Sequence, residues 1–165
     1  MQNLEIKIDL TSFDEIFSAL KQINAEFIDI LEQKDIYYRN SKGLLKLRRV
    51  NEEYEFIFYD RDESAENRWS NYSILKIADP DAEEFFDKIF EKEIIVEKTR
   101  KLYLYKNTRI HLDSVNNLGD FLELETVVVD GQESAKEEFD FVYDSLSLSN
   151  YKELRTSYRD LLLAL

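Results

Sequence analysis

The feature that most constrains this chain is the alternation of charged and apolar residues, repeated on one strand-like segment after another. Successive side chains of a β-strand point to opposite faces. In residues 3–10, Leu4, Ile6 and Ile8 share one face, and Asn3, Glu5 and Lys7 the other. In 43–50, Leu45 and Leu47 oppose Lys46 and Arg48. In 93–105, Lys98 and Arg100 share a parity. In 107–115, Ile110 and Leu112 oppose Arg109, His111 and Asp113, and in 119–129, Leu122 and Leu124 oppose Glu123 and Glu125. A polar face on an antiparallel sheet ordinarily meets solvent. Here the polar faces carry full charges of both signs, while the helical segments are amphipathic and need an apolar sheet face to cover. About eight strands is also the number that closes into a small barrel. A closed barrel with its helices outside turns these charges inward.

The remaining segments fit that architecture. Residues 11–24 have helical spacing (Phe13, Ile16, Phe17, Leu20, Ile23), with Ser12 and Glu15 in a capping-box pattern. Residues 26–39 and 43–50 read as strands joined by a turn at Asn40–Gly43, and 54–61 and 70–78 as a further pair flanking a long polar loop, 62–69. Pro80 opens a helix to about residue 91, capped by Asp79. After the strands 93–105, 107–115 and 119–129, helices are expected over 132–145 and 150–164. Only 3 Gly and 1 Pro interrupt 165 residues, and no parallel βαβ repetition occurs. The expected fold is therefore α+β, a closed antiparallel eight-stranded β-barrel with helices packed outside, forming one domain over residues 1–165.

The inward set then holds Glu5, Asp113, Glu123 and Glu125 against Lys7, Lys46, Arg48, Lys98, Arg100 and Arg109. Buried charge at this density is costly unless the groups pair or bind ions. Carboxylates suit a hard metal ion and Lys and Arg suit phosphate oxygens, so a polyphosphate–metal complex uses both signs. The formal net charge of −13 argues against nonspecific nucleic-acid or anionic-membrane partners. There is no cysteine, which excludes disulfides, thiolate metal sites and cysteine nucleophiles. The N-terminus carries no signal-peptide pattern and no apolar run is long enough for a membrane helix, so a cytoplasmic location is expected. The interrupting helices and the missing export signal speak against an outer-membrane barrel.

An ordered series of segments resembles the CYTH family of triphosphate tunnel metalloenzymes, most closely its class IV adenylate cyclase-like branch. The segments are Asn3-Leu-Glu-Ile-Lys7, Gln33-Lys-Asp-Ile-Tyr-Tyr38, Gly43-Leu-Leu-Lys-Leu-Arg48, Arg109-Ile-His-Leu-Asp113, Leu118-Gly-Asp-Phe-Leu-Glu-Leu-Glu125 and Ser157-Tyr158. The resemblance implies an eight-stranded tunnel that binds Mg²⁺ or Mn²⁺ through Glu5, Glu123 and Glu125, with Asp113 beside them. It implies triphosphate contacts from Lys7, Lys46, Arg48, Arg100 and Arg109, to which parity adds Lys98. Glu5, Lys7 and Arg109 are the expected catalytic residues, and ATP or another organic or inorganic triphosphate the expected substrate. Two positions depart from the family pattern. Asn3 stands where the family's opening Glu-x-Glu-x-Lys has its first carboxylate, and Asp60 stands where a Lys is common. Arg61 is a candidate substitute for that Lys, and Lys76 sits where a Glu is expected.

Two reactions use the same triphosphate grip. Water attacking the terminal phosphorus makes a triphosphatase; a ribose 3′-hydroxyl attacking the α-phosphorus makes an adenylate cyclase that releases pyrophosphate. The alternative, motivated by Asn3 and Asp60, is a tunnel that binds nucleotide or polyphosphate without turnover; a scaffold for basic protein partners is a third. His111, the only histidine, reads as a lumen residue hydrogen-bonded to a carboxylate, with general acid–base catalysis as its second reading. The Leu161–Leu165 tail reads as core cover or as a contact in a homodimer.

Overall fold

The computed structural model describes residues 2–60 and 69–165; the expected loop and Arg61 fall largely in 61–68, outside the described residues, as do the side chains of Trp69 and Ser70. Strands β1 (Gln2–Leu10), β2 (Glu26–Tyr38), β3 (Leu44–Val50), β4 (Glu53–Asp60), β5 (Trp69–Ile77), β6 (Lys92–Tyr105), β7 (Thr108–Val115), β8 (Gly119–Val127) and β9 (Lys152–Leu154) form one sheet. Its order is β5-β4-β3-β2-β6-β7-β8-β1, and β5 pairs back onto β1, so eight strands close into an antiparallel barrel. One edge of β1 is shared. Gln2–Leu4 pairs with β5, and Lys7–Asp9 pairs with β9, the ninth strand.

Closure follows from the alternation already noted. The apolar parity of β1, β7 and β8 (Ile6, Ile8, Ile110, Leu112, Leu122, Leu124) points outward, where α1 (Asp14–Gln22) and α3 (Gln132–Ser145) cover it with Ile16, Leu20, Phe139 and Val142. Ile36, Tyr38 and Leu47 form the matching outer face of β2 and β3, covered by α2 (Ala82–Ile89) through Phe86 and the following Phe90. Each of these fully buried aliphatic side chains contributes about 1.5–3 kcal/mol. Their hydrophobic energy therefore holds the barrel from outside and leaves its interior free for charge. At the β2–β3 turn a Cβ on Gly43 would collide with the carbonyl oxygen of Tyr59, which explains the glycine.

The C-terminal region differs most from expectation. In place of one helix over 150–164, a 3₁₀ turn (Leu148–Asn150) leads into β9, and only α4 (Tyr158–Leu163) is helical, capped by Ser157 Oγ on the Asp160 N–H at 3.1 Å. The polar run Arg155–Ser157 has no apolar spacing to sustain a helix and instead crosses the barrel end. Tyr158, with Leu161 and Leu162 partly buried, packs against Tyr37, Val96, Val115 and Phe121. These four continue the inward parity of their strands, so α4 stoppers that end with apolar side chains. The capping box at α1 does not form: Ser12 Oγ accepts from the Asp14 N–H at 3.2 Å, while Glu15 accepts from Tyr151. Helix α2 starts two residues beyond Pro80, with Asp79 Oδ1 accepting from the Asp81 N–H at 2.9 Å. Among the described residues, no helix is long and apolar enough to cross a membrane.

Candidate functional site

The barrel encloses a cavity of about 650 Å³ lined by residues from all eight ring strands and from the β9–α4 segment. All ten charged residues sorted inward by parity lie at it. Nine line the cavity: Glu5, Lys7, Lys46, Arg48, Lys98, Arg100, Arg109, Glu123 and Glu125. Asp113 is fully buried just behind them and reaches them through Lys98 and Arg100.

Four of the basic groups, Lys46, Arg48, Lys98 and Arg100, are held by two aspartates. Asp35 on β2 accepts from Lys46 Nζ at 2.8 Å and from Arg48 Nε and its second nitrogen at 2.9 and 3.0 Å; Gln33 Nε2 adds a contact at 3.2 Å. Asp113 on β7 accepts from Lys98 Nζ at 2.9 Å, from Arg100 twice at 2.6 Å and from the Tyr158 hydroxyl at 3.0 Å. Burial alone would raise both carboxyls. Arg48 and Lys46 overcome it and hold Asp35 far below the carboxylate range, while Arg100 and Lys98 hold Asp113 at about 2. Burial and the Arg48 charge push Lys46 down to about 7 despite Asp35, and burial with Arg100 lowers Lys98. The Lys46 ammonium lies 5.3 Å from the ring centroids of Tyr37 and Tyr59, and Lys7 lies 4.0 Å from that of Tyr158.

The acidic wall runs along β8 and β1. Glu5 and Glu125 are direct cross-strand partners, a like-charge pairing that destabilises a sheet unless a cation lies between. Arg109 donates to Glu125 at 3.1 Å, and the Asn3 amide also donates to Glu125. Glu123 meets Arg100 at 2.7 Å and Lys7 at 3.7 Å. Burial would raise it, but Lys98 and Arg100 hold it well below its usual value. His111 faces Glu123 across β7–β8, yet its Nδ1 stands 3.9 Å from Glu123 Oε2, beyond hydrogen-bond reach, so the expected bond to a carboxylate is not made. Burial and Arg100 lower the His111 pKa. Among the described residues, three buried side-chain polar atoms lack a partner: Asn3 Oδ1, Arg109 Nε and His111 Nδ1. Arg109 and His111 lie opposite Glu125 and Glu123 in register, while Asn3 lies opposite Val127 and reaches Glu125 diagonally. With the acids drawn to their cations, no three acidic or imidazole groups among the described residues converge as a metal cage does.

Asp60 is exposed and on the outward parity of β4, whose inward series is Glu55, Ile57 and Tyr59. It therefore does not reverse a charge in the lumen. Lys76 lies across from Glu55 in register. Sequence reasoning missed Asp35, Tyr59, Tyr72 and Tyr158 as lumen residues. Asp35 lies in a stretch of β2 that is polar on both parities, so alternation does not mark its face, and Tyr158 carries no strand parity at all.

The CYTH domain family model matches residues 1–158. A Methanocaldococcus jannaschii protein named "Putative adenylate cyclase MJ0240" is 28% identical over 173 aligned positions covering 98% of each chain. The structure of PH1012 from Pyrococcus horikoshii superposes with a TM-score of 0.80 at 24% identity, over 96% of this chain and 98% of that one. The Hippeastrum adenylyl cyclase HpAC1, whose structure is described as revealing a dominant triphosphatase activity, shares the fold with a TM-score of 0.71 at 13% identity, over 99% of this chain and 95% of that one. The family match runs through every strand of the ring and all ten inward charged residues, and the chain belongs to the CYTH domain family.

Proposed function

We propose that the lumen binds a triphosphate together with one or two divalent cations, and that the chain carries out phosphoryl chemistry on it. The observation that carries this reading is the division of one closed cavity into a basic wall, on β3 and β6, and an acidic wall, on β1 and β8. Lys46, Arg48, Lys98 and Arg100 would grip phosphate oxygens, the arginines through paired N–H groups. Asp35 and Asp113 stand behind them; the oxygens of Asp113 are already taken by Lys98, Arg100 and Tyr158, so we assign it to hold those cations rather than a metal. Glu5, Glu123 and Glu125 are the assigned metal ligands; a cation would have to draw Glu123 and Glu125 away from Arg100 and Arg109, which now hold them. Two of them face each other as like charges, and Asn3 Oδ1 is a buried, unsatisfied oxygen beside Glu125. When bound, a divalent cation neutralises phosphate charge and orients the attacking oxygen. Lys7 and Arg109, each next to an acidic residue, are assigned to the reacting end of the phosphate chain, with Glu5 beside them.

The test is to incubate the protein with ATP, thiamine triphosphate and tripolyphosphate, each with Mg²⁺ or Mn²⁺. Cyclic AMP with pyrophosphate marks a cyclase, and orthophosphate marks a triphosphatase. Glu123→Gln and Glu125→Gln should abolish metal-dependent turnover in a folded protein; unchanged turnover in both would remove their metal role. A second reading, a tunnel that binds triphosphate without turnover, is supported by Asn3, whose amide nitrogen ties up Glu125. Tight binding of all three compounds with no product would establish it.

A further inference from the structure

We infer that the lumen selects organic triphosphates whose non-phosphate group is a flat ring with an amino donor, held at the mouth opposite α4 by Leu31, Val50, Ile74 and Leu102, with Glu55 as its polar contact. This rests on the triphosphate reading above and adds the substrate class to it. All five residues line the cavity. Through the middle of the barrel the inward positions of β2, β3, β5 and β6 are polar: Gln33 and Asp35, Lys46 and Arg48, Tyr72, and Lys98 and Arg100. At the next inward position away from α4, each of these strands turns aliphatic, at Leu31, Val50, Ile74 and Leu102 respectively. Four strands therefore make the same change at the same end.

This rim has no structural partner. Its four aliphatic side chains belong to none of the buried apolar clusters that hold the barrel, and Ile74 is 36% exposed. Strand β3 follows β2 only as far as the Gln33–Val50 pair, so the sheet parts between Leu31 and Val50 at this mouth. The other end is closed by Tyr158 against Tyr37, Val96, Val115 and Phe121. A triphosphate lying along the central cations therefore leaves its ester end at the aliphatic rim, where a slot lined by methyl groups suits the two faces of a ring. Glu55 adds a polar edge. It stands opposite Arg48 and Lys76 in register, yet its carboxylate makes no hydrogen bond or ion pair among the described residues, since Arg48 is drawn to Asp35. An ionised carboxylate only accepts, so it suits an amino group on the ring and repels a carbonyl edge or a further phosphate. A bare inorganic chain uses neither feature.

The test is calorimetric titration of the full chain with ATP, thiamine triphosphate and tripolyphosphate, each with Mg²⁺. The readout is the affinity for each ring-bearing compound relative to tripolyphosphate. In a Leu31→Ser, Leu102→Ser double variant that ratio should fall about tenfold for at least one of the two, and Val50→Thr, which keeps the side-chain shape, should lower it in the same direction. Glu55→Gln should lower the preference for ATP over inosine triphosphate, whose ring carries a carbonyl in place of the amino group, by about tenfold. A ratio unchanged in folded rim variants, or an equal loss for all three compounds, overturns the inference and leaves the triphosphate reading standing. So does binding of tripolyphosphate with no binding of either ring-bearing compound. Absence of binding by all three overturns both.

Discussion

The two aspartate centres of the lumen make a natural comparison. Each holds a Lys-x-Arg pair from the neighbouring antiparallel strand: Asp35 with Lys46 and Arg48, and Asp113 with Lys98 and Arg100. Spacing by two puts both cations of a pair on one face, and the register sets an aspartate opposite the arginine. The centres differ in what lies behind them. Asp35 is the only acid paired with either of its cations among the described residues. At the second centre Arg100 also reaches Glu123, and Tyr158 of α4 closes over Asp113. The first centre is thus a self-contained basic grip, and the second is wired into the acidic wall and the C-terminal stopper.

The largest expected effect tests that difference. Asp35→Ala leaves Lys46 and Arg48 buried without a counter-charge and should cost about 3–5 kcal/mol of stability in denaturant unfolding. Asp113→Ala should cost less, since Glu123 still backs Arg100; equal losses would break the distinction. Tripolyphosphate replaces the missing negative charge, so its thermal stabilisation should be larger for Asp35→Ala than for the wild type.

Next comes pH. Lys46 titrates at about 7 in the folded chain, against about 10.4 when unfolded. Between those values the unfolded chain binds a proton that the fold does not, so this group makes stability rise with pH through that window and has no effect on its slope below about pH 7, where both states are protonated. Triphosphate binding favours the protonated amine, so affinity should fall as pH rises above about 7, by at most about tenfold per unit from this one group. Lys98, lowered in the same direction, adds to the slope. Lys46→Arg should flatten it, and an unchanged slope in calorimetric titration would remove Lys46 from the grip.

Two smaller effects follow. Tyr158→Phe removes one hydrogen bond to Asp113 and should cost about 1 kcal/mol in thermal or denaturant melts. Asp60→Lys, on the outer face, should leave triphosphate affinity unchanged; a marked gain would place that side chain in the lumen after all.

The barrel and most of its lumen were legible because strand parity is local. Lys46 and Arg48, or Glu123 and Glu125, announce a shared face by alternating with leucines that must be buried. Asp35 was hidden because β2 has polar residues on both parities (Glu32, Gln33, Lys34, Asp35), so charge does not mark its face. Its first half, up to Glu32, pairs with β6 and not with β3, and both of its sides are largely open to solvent. Strand β9 was invisible for another reason. Three residues carry no periodicity, and their pairing with β1 is set by the tertiary fold. The outward direction of Asp60 follows from register with β3 and β5, which residue identity does not encode.

The shared edge of β1 has a consequence for how the molecule comes into being. Lys7 pairs with Leu154, and Leu4 with both Trp69 and Thr126, so the first strand made is the one whose partners arrive last. Contacts this distant in sequence are slow to form, because a long loop must be closed before any of them contributes. The hairpins β3–β4 and β6–β7 can assemble locally as the chain emerges, with their lysines and arginines still hydrated. Only when β8 and β9 clasp β1 from its two sides do the acidic and basic walls face each other. The binding chamber is therefore a late product of folding, and a nascent chain that has not yet reached Leu154 has the grip in pieces and no lumen to hold it.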